Sequence, residues 1–411
     1  MSWTKARLKH LCVDSGQYGL NISSEHYSDR GVRLLRTTDI SRSLGVLKEG
    51  GVYIETPLTE RDKLQPGDLL LSRSGSLGQS YLVRDEDSGS TYAGYLVRFR
   101  PQPEVNPKFL SYVAQSHEFQ SAIIADAVTS TIQNFNAEKY ANIPILVPCA
   151  EEQKRIVAFL DAEIDRLDAV AERCKRQLEL LEISDSSVIG DLLESEEARL
   201  IRVKHLASKI TSGPRGWGEL AVEKGEQSSL FLRITNIPRK GITLDLTDSL
   251  YVDAPTGHER ERSRTKVGDV LVSITADIGS VAIVDARADG GNVSQHIALI
   301  RPKLNACDPS WLAYAIKSAR SHQSLLMNSY GGTKVGLGLA DIANLSVMTP
   351  SLPTQQRLAS EISNALALRT DLQHRLIRQR TVLGERRQSL ITAAVTGQID
   401  VSTASGRGIE D

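Results

Sequence analysis

Two stretches of the chain place apolar side chains along one stripe and polar side chains everywhere else. From Gln153 onward Ile156, Leu160, Ile164, Leu167, Ala171, Cys174, Leu178 and Leu181 follow one another in steps of three and four, the spacing of a coiled-coil seam. A second stretch repeats the pattern less regularly through Leu358, Ile362, Leu366, Leu372, Leu376, Leu383 and Leu390, and no proline interrupts either one. The spacing predicts two long helices. Elsewhere the chain changes period. Short apolar runs such as "GDLLLSRSG" at 67–75 and "GDVLVSIT" at 268–275 begin at Gly-Asp turns, which predicts buried strands in mixed α/β segments punctuated by Gly and Pro.

The pattern occurs twice. "LKHL" at 8–11 returns as "VKHL" at 203–206, "LRTTDI" at 35–40 as "LRITNI" at 232–237, and "PGDLLLS" at 66–72 as "VGDVLVS" at 267–273. "LVRFRP" ending at Pro101 returns as "IALIRP" ending at Pro302, "NPKFLSY" at 106–112 as "DPSWLAY" at 308–314, and "ANIPILVPCAEEQKRI" at 141–156 as "ANLSVMTPSLPTQQRL" at 343–358. The offset drifts only from 195 to 202 residues, a period far above that of solenoid repeats, so each copy is a domain with an appended helix. The expected fold class is α+β: two tandem mixed α/β domains separated by two long antiparallel coiled-coil helices, with a pseudo-two-fold internal repeat. The expected division is 1–150 and 201–354 for the domains, 151–200 for the first long helix, and 355–411 for the second helix and tail. A chain of 411 residues is long enough for domains of this size to fold without staples.

A long helix with one apolar stripe needs a partner to cover it. Either the two helices pair, through Ile156, Leu160, Ile164, Leu167, Leu178 and Leu181 on one and Leu358, Ile362, Leu366, Leu376 and Leu383 on the other, or each lies on its own domain. Charge favours pairing: residues 151–194 carry 12 acidic and 6 basic side chains, residues 355–400 carry 4 and 7. Each exposed ion pair contributes under ~1 kcal/mol, so charge selects the partner more than it stabilises the pair. An antiparallel pair of about 40 residues spans roughly 60 Å, the scale of one to two turns of B-DNA at roughly 34 Å each.

The residues carry no catalytic constellation. "NPKF" and "DPSW" approach the [DNS]PP[YFW] motif of amino-methyltransferases but have Lys108 and Ser310 at the third position. An N-cap followed by a first-turn proline explains both. No GxxxxGK[ST], HExxH or GxSxG is present, so phosphate-loop, zincin and α/β-hydrolase chemistry are not indicated. His10 and His205 recur at matching places and read as structural. Cys12, Cys149, Cys174 and Cys307 form no ligand spacing, which suits buried thiols in a reducing compartment. The N-terminus has no apolar signal core and no stretch approaches ~20 apolar residues, so a cytoplasmic chain with no membrane partner, cofactor or metal is expected.

Recognition remains. The loops that follow the strands carry donor-bearing side chains, and they differ between the copies although strands and helices repeat. That divergence suits two similar frames reading different partners. Side chains of these types read base edges or pair with phosphates. The first copy offers Arg36, Arg73, Ser74, Ser76, Gln79, Thr131, Gln133 and Asn134. The second offers Arg215, Trp217, Arg233, Arg239, Lys240, Arg262, Arg264, Thr275 and Lys334. The net charge of −1 conceals a basic balance of 18 to 14 in residues 201–354, and it is local patches that act on partners.

With these residues in view the chain resembles the specificity subunit of type I restriction-modification systems. The resemblance rests on "GDLLLSRSGSLG", "GDVLVSITADIG", "QHIALIRP" at 295–302, "IPILVPCAEEQKRI" and "SLITAAVTGQIDV" at 389–401. It implies two target recognition domains, each reading one half of a bipartite site in double-stranded DNA, joined by a helical pair that acts as a ruler. It also implies two methyltransferase subunits docked on the chain and restriction subunits that translocate DNA with ATP, with all catalysis in those partners. Two rivals share parts of the pattern. A self-sufficient DNA adenine methyltransferase would bind a methyl donor by itself, and a DNA-free assembly scaffold would give no split footprint.

Overall fold

The computed structural model describes residues 3–41, 47, 50–129, 134–181, 185–193, 198–329 and 336–401. It divides into two compact units, Met1–Lys175 with Ile377–Asp411, and Arg176–Leu376.

The first unit is built on a four-stranded antiparallel sheet ordered Gln17–Tyr18, Leu96–Phe99, Leu69–Ser72, Ser80–Leu82. The uninterrupted run Leu69, Leu70, Leu71 arises because both faces of this sheet are covered. Leu69 and Leu71 pack with Val97, Phe99, Phe109, Leu110 and Val113. Leu70 points the other way, with Leu35, Ile40, Tyr81 and Tyr92. That second layer belongs to a three-stranded sheet of Val52–Ile54, Val32–Leu35 and Thr91–Tyr92, the last pair parallel. Thr4–Arg7 pairs antiparallel with Pro144–Val147 just ahead of the first long helix.

The second unit repeats this topology. Its main sheet runs Ala207–Ser212, Ile297–Pro302, Val270–Ser273, Val281–Ile283. Val270 and Val272 face Trp311 and Leu312, and Leu271 faces Leu230, Leu232 and Leu299. A second sheet holds Ala221–Val222, Leu250–Val252, Ser229–Leu232 and Asn292–Val293, and Arg199–Arg202 pairs with Ser346–Thr349. Full burial of each such aliphatic or aromatic side chain contributes roughly 1.5–3 kcal/mol.

Several polar fixtures recur in both units. Asp68 and Asp269 each accept the backbone N–H three residues earlier, at 2.8 Å, and each holds an arginine from the neighbouring strand by two bonds. Arg100 reaches Asp68 at 2.7 and 2.8 Å, and Arg301 reaches Asp269 at 2.8 and 2.7 Å. Asn106 caps Pro107–Gln115 through Lys108 N at 2.9 Å, and Asp308 caps Pro309–Lys317 through Trp311 N at 2.9 Å. Gln153 and Gln355, both buried, tie these caps to the long helices. The side-chain oxygen of each accepts the cap residue's N–H at 2.9 Å, and the amide donates to Pro148 O or Pro350 O at 3.0 Å. His10 and His205, read as structural, point their side chains to solvent; the buried anchors beside them are Leu8 and Leu11, and Val203 and Leu206.

The long helices are Ala150–Leu180 and Leu352–Val395. In the first unit Ile156, Leu160 and Ile164 share an apolar cluster with Ile391, Ala394 and Val395, and Arg387 Nε lies 3.8 Å from Asp168. Leu167 and Leu383 are half-buried. In the second unit Leu358 is buried in the main core and Ile189 packs with Ile362 and Leu366, while Leu178 and Leu181 are half-buried and Leu376 buried. Gln373 donates to the Leu181 carbonyl at 3.0 Å, Arg369 donates to the same oxygen, and Arg369 lies 4.0 Å from Asp185. Partner positions on the second long helix fall from Gln373 to Ile362 as those on the other segment rise from Leu181 to Ile189, so Leu181 and the short helix Asp185–Leu193 run antiparallel to the second long helix. Leu372, part of the predicted stripe, is 43% exposed. The physical reason is local: the first long helix ends at Leu180, its last carbonyls need donors, and Arg369 and Gln373 occupy the seam there.

Candidate nucleic-acid interface

In the first unit Arg73 follows the central strand Leu69–Ser72. Its Nε donates to Asn134 Oδ1 at 3.2 Å and its guanidinium lies 4.7 Å from the Tyr18 ring centroid. Ser74 forms an isolated bridge with Asn134, so Arg73, Ser74 and Asn134 form one group. Arg73 N also donates to Tyr95 O at 2.9 Å, and the Tyr95 ring is 66% exposed beside them. Ser76 and Gln79 line a cavity of about 620 Å³ with Gln115, Gln120, Arg387 and Gln388. Gln79 is committed to the fold through Ile40 O at 2.6 Å.

Arg36 opens the turn Thr37–Asp39. It meets the Asp39 carboxylate through its backbone N at 2.9 Å, Nε at 3.1 Å and Nη2 at 2.8 Å, and the carboxylate holds the guanidinium further above its ordinary pKa. Tyr27 lies beneath it, ring centroid 5.6 Å from the guanidinium carbon. Thr131 and Gln133 lie outside the described residues, as does Lys334.

The second unit uses its candidates differently. Trp217 is buried with Phe231, Val252 and Ala254 and presents no ring to a partner; the glycine-rich turn folds it back into an apolar cluster. Arg262 also turns inward, donating to Thr211 Oγ1 at 2.7 Å and Ser212 O at 2.5 Å. Arg215 and Lys240 are exposed. Arg239, with its side chain 86% exposed, lies 3.5 Å from Asp277, and Arg264 lies 3.8 Å from Glu261. Arg233 donates to Asp248 O at 3.1 Å and to its carboxylate at 2.9 Å. Thr275 Oγ1 lies 3.1 Å from His296 Nδ1, and the Gln295 amide lies 2.9 Å from His296 Nε2. Tyr18, Tyr27 and Tyr95 escape a reading of repeats, whereas Gln295 and His296 open the motif "QHIALIRP" without having been singled out. The signal that could have found them is aromatic residues interleaved with basic ones near the strand ends.

Among the described residues no three His, Cys, Asp or Glu side chains are placed to hold a metal ion, and no helix is long and apolar enough to cross a membrane. The sequence profile of the type I restriction modification DNA specificity domain matches residues 21–180 and again 259–379. The chain belongs to that family. It is a DNA specificity subunit of a type I restriction-modification system, the non-catalytic component of such systems. The subunit is 20% identical to the type I restriction enzyme EcoBI specificity subunit of Escherichia coli, over 97% of this chain and 86% of that one. Two solved structures share its fold. One, from work on complex assembly and conformational transition of the type I R-M system, has a TM-score of 0.76 at 17% identity over 97% of this chain and 98% of the other. The HsdS subunit from Thermoanaerobacter tengcongensis has a TM-score of 0.64 at 18% identity, with 97% of each chain covered.

Proposed function

We propose that residues 1–150 and 201–354 are two target recognition domains, each reading one half of a bipartite site in double-stranded DNA. Residues 151–200 and 355–411 supply the helices on which two methyltransferase subunits dock, and restriction subunits join that assembly in the cytoplasm. The observation that carries this reading is one frame built twice with different side chains at equivalent outer positions. Arg36 with Asp39 and Tyr95 in one unit correspond to Arg233 with Asn236 and His296 in the other, while the Asp–Arg ion pair and the glutamine that holds the cap residue are unchanged. The half-buried Arg73 and the exposed Arg239 and Lys240 supply charge for phosphates, which position a duplex without specifying it.

The test is an exchange. Replacing residues 1–140 with the matching part of a relative changes one half of the sequence modified by the assembled complex and leaves the other half as it was. A change in both halves, or in neither, overturns modular reading. Methylated adenines mapped across a host genome give the readout directly.

A further inference from the structure

A cavity of about 490 Å³ opens in the first unit beside the turn Thr37–Asp39, lined by Asn21, Tyr27, Arg36, Thr37 and Tyr95 among others. Its wall depends on Gly94, where a Cβ would stand 2.0 Å from Asn21 Oδ1. We infer that this cavity is where the first recognition domain reads a guanine, with Arg36 as the reading side chain. The inference rests on the proposal that this unit binds duplex DNA.

Donor geometry selects the base. A guanidinium carries five N–H groups in a plane. Asp39, 8% exposed, takes the Nε hydrogen and one on Nη2, which fixes the plane and the direction of the group before any partner arrives. Asp39 does not use Nη1, so apart from a weak contact with the Tyr27 hydroxyl the Nη1–Nη2 end keeps two parallel donors on a side chain that lines the cavity. Guanine is the base that presents two acceptors, O6 and N7, side by side in the major groove; adenine and cytosine present an amino group there and thymine a single acceptor beside a methyl. Tyr27 supports the guanidinium from one side, and Tyr95 stands at the cavity as an exposed aromatic surface. Arg73, joined to Tyr95 through the backbone and set over Tyr18, extends the same basic and aromatic face.

The second unit has the same arginine and lacks the arrangement. Asn236 stands where Asp39 does, its amide donates to Asp245 O and Asp248 O, and Arg233 is drawn onto Asp248. The guanine contact therefore belongs to one half-site alone.

The experiment uses the full chain assembled with methyltransferase subunits. Wild-type complex selects its site from a pool of randomised duplexes, and the domain exchange above assigns one half to the first unit. Each guanine of that half is then replaced singly by 7-deazaguanine, which removes N7. The expected result is a loss of affinity on the order of tenfold at one guanine, absent in Arg36→Lys, which keeps the charge but not the planar fork, with the other half-site selected as before. A half-site without guanine, no sensitivity to deaza substitution in the wild type, or the same sensitivity in Arg36→Lys overturns the inference and leaves the proposed function standing. Failure of the wild-type complex to select any split site overturns both. The wild-type arm does not depend on a variant folding.

Discussion

The two units share a frame and differ in how they fill it. In the core of the first unit, which also holds Phe109, Tyr140 is stacked on Phe119 and edged against Phe99 and Phe135 at centroid distances of 4.5–6.3 Å. The second unit sets the larger Trp311 at the position of Phe109, with Ile342, Leu325 and Leu337 around it. Tyr140 additionally donates to Ser72 O at 2.6 Å and accepts from Gly78 N at 3.1 Å, bracing the loop after the central strand; Ile342 offers no such brace. A core tolerates such exchanges when total volume is kept. A buried ion pair or cap does not, because losing one partner leaves the other uncompensated. That difference explains why Asp68–Arg100 and Asp269–Arg301 are alike to 0.1 Å while the aromatic filling is not.

The largest effect expected is at the repeated ion pair. Asp68→Ala strands Arg100 and the Gln65 N–H, and is expected to destabilise the first unit by about 3 kcal/mol; Asp269→Ala does the same in the second. Hydrogen exchange followed by mass spectrometry localises the loss, and an equal acceleration in both units from either change would break the picture of two separate compact bodies. The exchanged ring positions sharpen it further. Phe109→Trp overpacks a fully buried position and is expected to cost about 1–3 kcal/mol. Trp311→Phe removes an indole N–H that has no partner in its buried site, so relief of that group offsets part of the lost volume, and a cost under about 1.5 kcal/mol is expected. Denaturant titration of the two variants that ranked them in the opposite order would show that the two cores are not differently filled versions of one frame.

The smallest effect is one the units share. Burial, reinforced by Asp14 and Asp308 respectively, pushes the Cys12 and Cys307 thiols from 9.0 up to about 12. A raised value favours the protonated form in the fold, so this contribution is complete below pH 9 and drains away as pH rises from 9 towards 12. Cys12→Ala combined with Cys307→Ala is expected to flatten the alkaline fall in stability. A slope unchanged by the double substitution would mean that neither burial matters.

Much of this architecture was legible in the spacing of side chains. The repeat, the caps at Asn106 and Asp308, and the stripe through Ile156, Leu160 and Ile164 depend on neighbours three, four or about 200 residues away, and such relations survive in one dimension. Asp68 and Arg100 were both visible in repeated motifs, yet their pairing was not, because it spans 32 residues across a sheet. Trp217 stood in a glycine-rich loop among basic residues and looked like a contact residue; the turn at Gly216, with φ of 78°, carries it into the core. Tyr27 and Tyr95 stood outside the repeated motifs, and only the cavity they share with Arg36 gives them a place.

Periodicity and self-similarity, which need no third dimension, determined that this chain is two strand-rich frames each with a long helix; its place among proteins that specify DNA came from the likeness of its motifs to a family and from the profile that matches it. Folding decided which carboxylate each arginine is bound to. Arg36 and Arg233 sit in nearly the same words, but a carboxylate three residues on holds one guanidinium at the mouth of a cavity, while an amide in its place lets a distant aspartate claim the other. A hydrogen bond is chosen by distance and direction among all the groups that the fold brings near, and adjacency along the chain does not record that choice.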